Sequence, residues 1–273
     1  MIIIGECVNA TRKSIKKAIL EKDKEAIISQ IQLQDQAGAN YIDLNAGTGA
    51  GDEQQEIDDL CWLIDIALEC TDKKLVLDAA GPNVLKKAAA YLDNRRGWML
   101  NSIKGDFSEE MSATMDLAAK YQVPLIALAM DKEGIPTEAG KRIQICSDIR
   151  EEANKRGIED GNLFFDPLVL PISADIEQGM VTFHTIQGIK EKYPDVKTTM
   201  GLSNVSHGLK KRLHINSTFL SIAIAYGLDS AICDPKKNMV RRAIVLGELI
   251  AGKDRFCRKF SRAYRTGLFD LKK

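Results

Sequence analysis

Short apolar runs alternate with longer stretches of helical period from one end of the chain to the other. Ile2–Gly5, Tyr41–Asn45, Lys74–Asp78, Trp98–Ser102, Pro124–Met130, Leu163–Asp166, Thr198–Asn204 and Ser230–Cys233 have the length and content of buried strands. Between them, Glu25–Ala37, Glu53–Glu69, Ser108–Tyr121, Lys141–Lys155, Phe183–Tyr193, Thr218–Tyr226 and Val240–Ala251 read as helices. In Glu53–Glu69, the residues Ile57, Leu60, Cys61, Ile64 and Leu68 form one apolar stripe, as a helix packed on a sheet requires. Gly38, Gly227 and Gly252 each follow a helical stretch and predict left-handed caps that feed the next element. Strands alternating with helices predict a parallel sheet, and eight strands are the number that closes a barrel. The expectation is therefore an α/β chain whose residues 1–273 form a single (β/α)8 barrel, since no linker or composition shift divides it. An open doubly wound sheet competes, but the first strand lacks a GxGxxG turn.

Composition narrows the function classes. Lys plus Arg and Asp plus Glu each total 38, so the chain has no net field to draw nucleic acid or an anionic membrane. The basic stretch of Arg255, Arg258, Lys259, Arg262 and Arg265 reads as a solvated helix face. No run reaches the roughly 18 apolar residues of a membrane span. The start, Met1 to Glu6, lacks a basic flank and reads as a buried strand and not a signal peptide. The six cysteines are scattered without a CxxC pair, which predicts free thiols in a reducing cytoplasm and no zinc site.

In such barrels the chemistry sits where strands end and the following loops begin. Glu6 and Asn9 follow the first strand, and Asn45, Asp78 and Asn101 end the second, third and fourth. Asp131 follows the fifth, Asp166 ends the sixth, Asn204 the seventh, and Asp234 follows the eighth. Period-two alternation puts Asp43 and Asn45 on one face and aligns Asn204 with Leu202 and Met200. Any one of these can instead cap a helix or make an Asx-turn, the reading adopted for Asp131 and Asp234, near Gly134 and Pro235. Asp43 sits inside an apolar strand where no turn is possible. Buried there, it needs a partner, structural or functional.

The rest is defined by what is missing. The three histidines, His184, His207 and His214, show no metal-ligand spacing, and His207 and His214 read as surface groups beside a loop. No strand ends in Lys, which disfavours Schiff-base chemistry, and there is no GxSxG elbow. A mouth rich in acids and amides suits a flat heterocycle carrying donors and acceptors, such as a 2-amino-4-oxo-pyrimidine ring. Carboxylates accept its N–H groups, and amides complement its oxygen and nitrogens.

The strings FFDPLVLP (Phe164–Pro171), GLSNVS (Gly201–Ser206) and INSTF (Ile215–Phe219) are the most specific motifs, accompanied in order by GECVN, IDLNAG, LVLD and MLNS. From Met1 to about Asp234 the chain resembles the pterin-binding methyltransferases that pair methyltetrahydrofolate with a corrinoid protein in acetogenic and methyl-ether-demethylating anaerobes. More distantly it resembles the folate module of cobalamin-dependent methionine synthase. The resemblance implies a pterin-binding barrel in which Asp78, Asn101 and Asp166 hold the ring. It also implies that Asn204 meets the region of N5, and that Glu6, Asn9, Asp43, Asn45, Gly201, Ser203 and Arg212 complete the site. Two positions depart from the pattern: Cys7 stands where the family commonly has Arg, and Ala79 where it has Ser or Thr.

The implied substrate is tetrahydrofolate or 5-methyltetrahydrofolate, with the corrinoid (cobalamin) held by a separate partner protein. The chain has no DxHxxG corrinoid string and is expected to bind no metal of its own. An uncharged amine is a poor leaving group, so attack by cobalt on the N5 methyl needs a proton or hydrogen bond delivered to N5. Asn204, an amide whose side chain can turn, is the residue the resemblance assigns to that task. A cytoplasmic homodimer is expected, acting on neither nucleic acid nor membrane. Dihydropteroate synthase, whose seventh strand usually ends in Ser-Arg-Lys, and a non-catalytic pterin-binding subunit are the alternatives. Gly201-Leu202-Ser203-Asn204 argues against the first, and turnover separates the second.

Overall fold

The computed structural model describes residues 1–270, so the last three residues of the expected 1–273 domain lie outside the described residues. Eight parallel strands follow one another around a barrel: β1 (Ile2–Asn9), β2 (Tyr41–Asn45), β3 (Lys74–Asp78), β4 (Trp98–Lys104), β5 (Leu125–Leu128), β6 (Leu163–Asp166), β7 (Lys197–Thr198) and β8 (Ser230–Cys233). β1 pairs with both β2 and β8. The circle closes beyond β7, where Ile232 N–H donates to the Met200 carbonyl at 2.8 Å and Gly201 bridges Ile232. The expected (β/α)8 barrel is the fold.

The outer layer consists of α1 (Lys13–Leu20), α2 (Lys24–Gln36), α3 (Glu53–Cys70), α4 (Pro82–Leu92), α5 (Glu109–Tyr121), α6 (Ala139–Lys155), α7 (Gln178–Lys192), α8 (Arg212–Ala225) and α9 (Asn238–Ile250), followed by the short α10 (Arg258–Arg265). The stripe predicted on α3 faces the sheet, with Ile57, Leu60 and Ile64 buried. Side chains of Asp52 and Ser108 cap α3 and α5, accepting from the backbone N–H groups of Gln55 and Met111. Gly38 and Gly227 have φ of 93° and 113°, the left-handed turns expected of them. Arg255, Arg258, Lys259, Arg262 and Arg265 are solvent-exposed. No described helix is long and apolar enough to cross a membrane.

Two strands depart from expectation. β1 runs on to Asn9, past a register break between Gly5 and Val8. The expected strand Thr198–Asn204 is regular only over Lys197–Thr198, and Leu202–Ser206 winds into a 3-10 turn. Apolar content alone cannot tell a strand from a buried turn, and Gly201 lets the chain change course.

Alternation then builds the interior in layers. Ile4, Tyr41, Val76, Met99, Ile126 and Phe164 point inward as a plug in the lower barrel. Two residues further along their strands, the same inward direction is taken by Glu6, Asp43, Asp78, Asn101 and Asp166. A polar floor thus lies on an apolar plug.

Candidate functional site

Above that floor opens a cavity of about 860 Å³, lined among others by Glu6, Asn9, Asp43, Asp78, Asn101, Ser203 and Arg212. Asn45 Nδ2 donates to Asp78 Oδ2 at 3.0 Å, and Asn9 Nδ2 approaches the same oxygen at 3.5 Å. Asp78, in register with Asn45 on one side and Asn101 on the other, is the hub of this edge. Burial raises its carboxyl to about 6, against the lowering effect of the Asn45 and Asp43 hydrogen bonds.

Asp43 is 1% exposed, within hydrogen-bonding reach of Asn101, Asn9 and Asp78. Its Oδ1 has no hydrogen-bond partner. Burial and then the charge of Asp78 hold its carboxyl well above the ordinary range. Both causes, burial and the neighbouring Asp78 charge, favour the neutral form of Asp43.

Asp166 lies behind the cavity wall. Its Oδ1 accepts the Leu168 N–H at 2.8 Å, and the Gly201 N–H is near enough to favour its ionised form, which brings Asp166 and Gly201 of the β6 and β7 loops together. Burial lifts Asp166 to about 6, opposed by those N–H groups and by the Arg142 charge. At the opposite edge, Glu6 accepts from Arg12 Nη2 at 2.7 Å and from Ser203 Oγ at 3.0 Å. Its carboxyl is raised by burial and held down by Arg12.

Asn204 is placed differently from the expectation. It sits in the 3-10 turn and is exposed, and its Nδ2 donates to the Val169 carbonyl at 2.6 Å. The strand alternation that aligned it with Leu202 does not apply there, because Leu202 is buried while Asn204 faces out. The Asx-turns expected of Asp131 and Asp234 are present: their Oδ1 atoms accept from Glu133 N–H at 2.8 Å and Lys236 N–H at 3.0 Å. Asp234 nevertheless also lines the cavity. His207 and His214 are exposed, as expected of loop groups.

Cys7 leaves no arginine at its position, and its buried thiol is pushed up to about 12, which makes it inert. The cation beside Glu6 is Arg12, which strand-end reading passed over because it lies in the loop before α1. Arg142 was also missed. It is fully buried on α6, donating to the Pro136, Pro167 and Leu168 carbonyls and to Gln178 Oε1 at 2.7–2.9 Å. It clamps the loop that follows Asp166. A signal existed, since Arg142, Ile145, Cys146 and Ile149 share one helical stripe and an arginine among apolar positions needs a reason. Among the described residues, no group of three or more His, Cys, Asp or Glu is arranged to hold a metal ion.

Comparison with known proteins agrees with this geometry. A family described as "Pterin binding enzyme" matches residues 5–234. The chain is 35% identical over 269 residues to a methylcorrinoid:tetrahydrofolate methyltransferase of Eubacterium limosum, covering 98% of this chain and 97% of that one. It is 30% identical over 249 residues to a methionine synthase of Mycobacterium tuberculosis, matching 87% of this chain and 20% of the longer protein. Among solved structures, dihydropteroate synthases of Xanthomonas albilineans (TM-score 0.70, 16% identity, 91% of each chain) and Yersinia pestis (TM-score 0.69, 17% identity, 92% and 93%) share the fold.

Proposed function

This chain belongs to the pterin-binding enzyme family, and on that premise we propose that it is a methyltransferase moving a methyl group between N5 of tetrahydrofolate and a corrinoid carried by a partner protein. The observation that carries the reading is the polar floor of Asp43, Asp78 and Asn101, with Asp166 behind it, in a chain 35% identical end to end to a methyltransferase of this kind. The floor fits the ring chemically. Asp78 has two amide donors on one oxygen and retains acceptor capacity for a ring N–H, while Asn101 offers both functions. Asp43, neutral, lets Asp78 stay ionised next to it. Asn45, Glu6, Asn9, Gly201, Ser203 and Arg212 support and edge the same site.

The corrinoid, when docked by its own protein, supplies the cobalt that gives or takes the methyl group. This chain's task is to bind the pterin, orient N5 toward the open mouth and steady the proton there. Asn204 is our candidate for the last step. Its Nδ2 would exchange the Val169 carbonyl for N5, a side-chain rotation at an exposed turn. An amide cannot supply a net proton near neutral pH, so it strengthens the hold on one arriving from water. The relative's name describes transfer from methylcorrinoid to tetrahydrofolate, and we read the same direction here. The family resemblance further supports a cytoplasmic homodimer acting on methyl groups released by methyl-ether demethylation. The six free cysteines agree with a reducing compartment.

Incubation with tetrahydrofolate and methylcobalamin tests the reading, with methyltetrahydrofolate as the expected product. Folate binding without methyl exchange would instead make the chain a binding subunit.

A further inference from the structure

Position 7 carries no cation, yet the neighbouring Glu6 has one. Arg12 reaches back from the loop after β1 and donates Nη2 to Glu6 Oε1 at 2.7 Å. The loop is shaped for that reach. Asn9 Oδ1 accepts from the backbone N–H and the hydroxyl of Thr11 at 3.0 and 2.7 Å, and the Arg12 N–H donates to the Asn9 carbonyl at 3.0 Å. Helix α1 gains nothing from an arginine here. Arg12 stands at its N-cap, where its side chain caps no N–H group and its charge lies at the positive end of the dipole. Local preference opposes the residue, and the contact with Glu6 accounts for it.

Glu6 passes that contact on. Ser203 Oγ lies 3.0 Å from Glu6 Oε1 and 3.3 Å from Oε2, and donates to this carboxylate from the turn after β7. One acid thereby ties β1 to a turn two strands away round the barrel. Ser203 immediately precedes Asn204, and the same turn is also held by Arg212, which donates to the Ser206 hydroxyl at 3.0 Å and to the Ser203 carbonyl. Only the ionised carboxylate accepts on both oxygens without offering a competing O–H. Burial raises the Glu6 carboxyl, and the Asp234 charge adds to this, while Arg12 is the largest opposing influence. The other titratable groups that feel Glu6 are Asp43 on the floor and the buried Cys233 thiol, both raised by burial.

We propose that Arg12 is a positioning residue for methyl transfer, fixing Glu6 so that Glu6, through Ser203, holds in place the turn that presents Asn204. The loop thus supplies the cation that Cys7 does not. This role rests on the assignment of Asn204 to N5, because a fixed turn matters to turnover only if it carries a group that acts there.

A double-mutant cycle tests it. Wild-type protein, Arg12→Met, Glu6→Gln and the double variant are assayed with tetrahydrofolate and methylcobalamin, with tetrahydrofolate affinity by calorimetry and melting temperature on the same preparations. Arg12→Met should lower kcat about tenfold, with folate affinity within about threefold and an unchanged melting temperature. Ser203→Ala, which removes the next link, should repeat that pattern. Added to Glu6→Gln, the Arg12→Met change should cost less than about twofold, since its route is already broken. The acid limb of kcat in Arg12→Met should move to higher pH, because Glu6 loses the cation that favours its ionised form, while the acid limb of folate affinity stays. Full additivity of the two changes, equal losses in kcat and affinity, or an unmoved kcat limb would overturn the positioning role and leave the methyltransferase reading standing. A wild-type protein that forms no methyltetrahydrofolate would overturn that reading, and the role with it.

Discussion

Replacing Arg142 by Met removes a cation that touches no ligand, and the consequence can be worked from its contacts. The side chain is fully buried, and its guanidinium donates to Pro136 O at 2.8 Å, Pro167 O at 2.7 Å, Leu168 O at 2.9 Å and Gln178 Oε1 at 2.8 Å. Met fills a similar length but donates nothing, so three backbone carbonyls and one amide oxygen lose their donor. Each unpaired buried acceptor costs about 1–3 kcal/mol, while removal of a buried charge returns part of that sum. A net loss of about 3–5 kcal/mol is expected, a large fraction of the roughly 5–15 kcal/mol that holds a domain folded. The loop that suffers carries Leu168, at φ 64°, whose N–H fixes the Asp166 carboxylate. Asp166 also loses the charge that holds its carboxyl down, so its ionisation moves upward from about 6. Urea unfolding followed by circular dichroism reads the first effect as a lower midpoint at unchanged slope. Folate affinity measured across pH reads the second, as an acid limb displaced to higher pH. A variant within about 1 kcal/mol of the wild-type protein, with an unmoved folate profile, would refute the reasoning.

Further expectations follow from the site. Asn204→Ala should lower the methyl-transfer rate about 100-fold while unmethylated folate binds normally and the melting temperature holds; a full-rate variant removes Asn204 from the mechanism. Asp78→Ala and Asp166→Ala should each weaken folate binding by about 1.5–3 kcal/mol, which calorimetry would contradict if both bound normally. Asp43→Asn, which is neutral and polar like a protonated Asp43, should retain folate affinity within a few-fold, whereas Asp43→Leu should not; identical behaviour of the two would dismiss a neutral, polar role for Asp43. Burial raises Asp78 and Asp166 to about 6; Asp78, which lines the cavity, accepts a ring N–H best when ionised, so folate affinity should fall as pH drops through 6. The free protein should behave oppositely. A carboxyl raised by folding contributes stability that is complete below its unfolded value near 4 and lost as pH rises through 6. Unfolding curves at pH 4.5 and 7.5 on Asp166→Asn and wild-type protein would reveal a missing difference.

Much of this site is local in origin. The strand period of two settled that Asp43 and Asn45 share an inward face, because successive side chains of a strand cannot do otherwise. The helical stripe on α3 and the glycine after α2 settled which face packs and where the helix stops. Motif strings carried the family and, with it, the kind of chemistry. Other features arise only where distant loops meet. Ser203 reaches Glu6 across 197 residues, and Asp43 comes to lie beside the charge of Asp78 on the neighbouring strand. Whether Asn204 faces the cavity depends on a 3-10 turn held between Met200, paired to β8, and the Val169 carbonyl of another loop. Arg142 could be marked as anomalous from its stripe, but its four acceptors come from three segments that only the closed barrel assembles. Short-range periodicity dictates the direction of a side chain within an element. What that side chain meets is decided by closure of the sheet, which brings strand ends far apart in the chain to one rim.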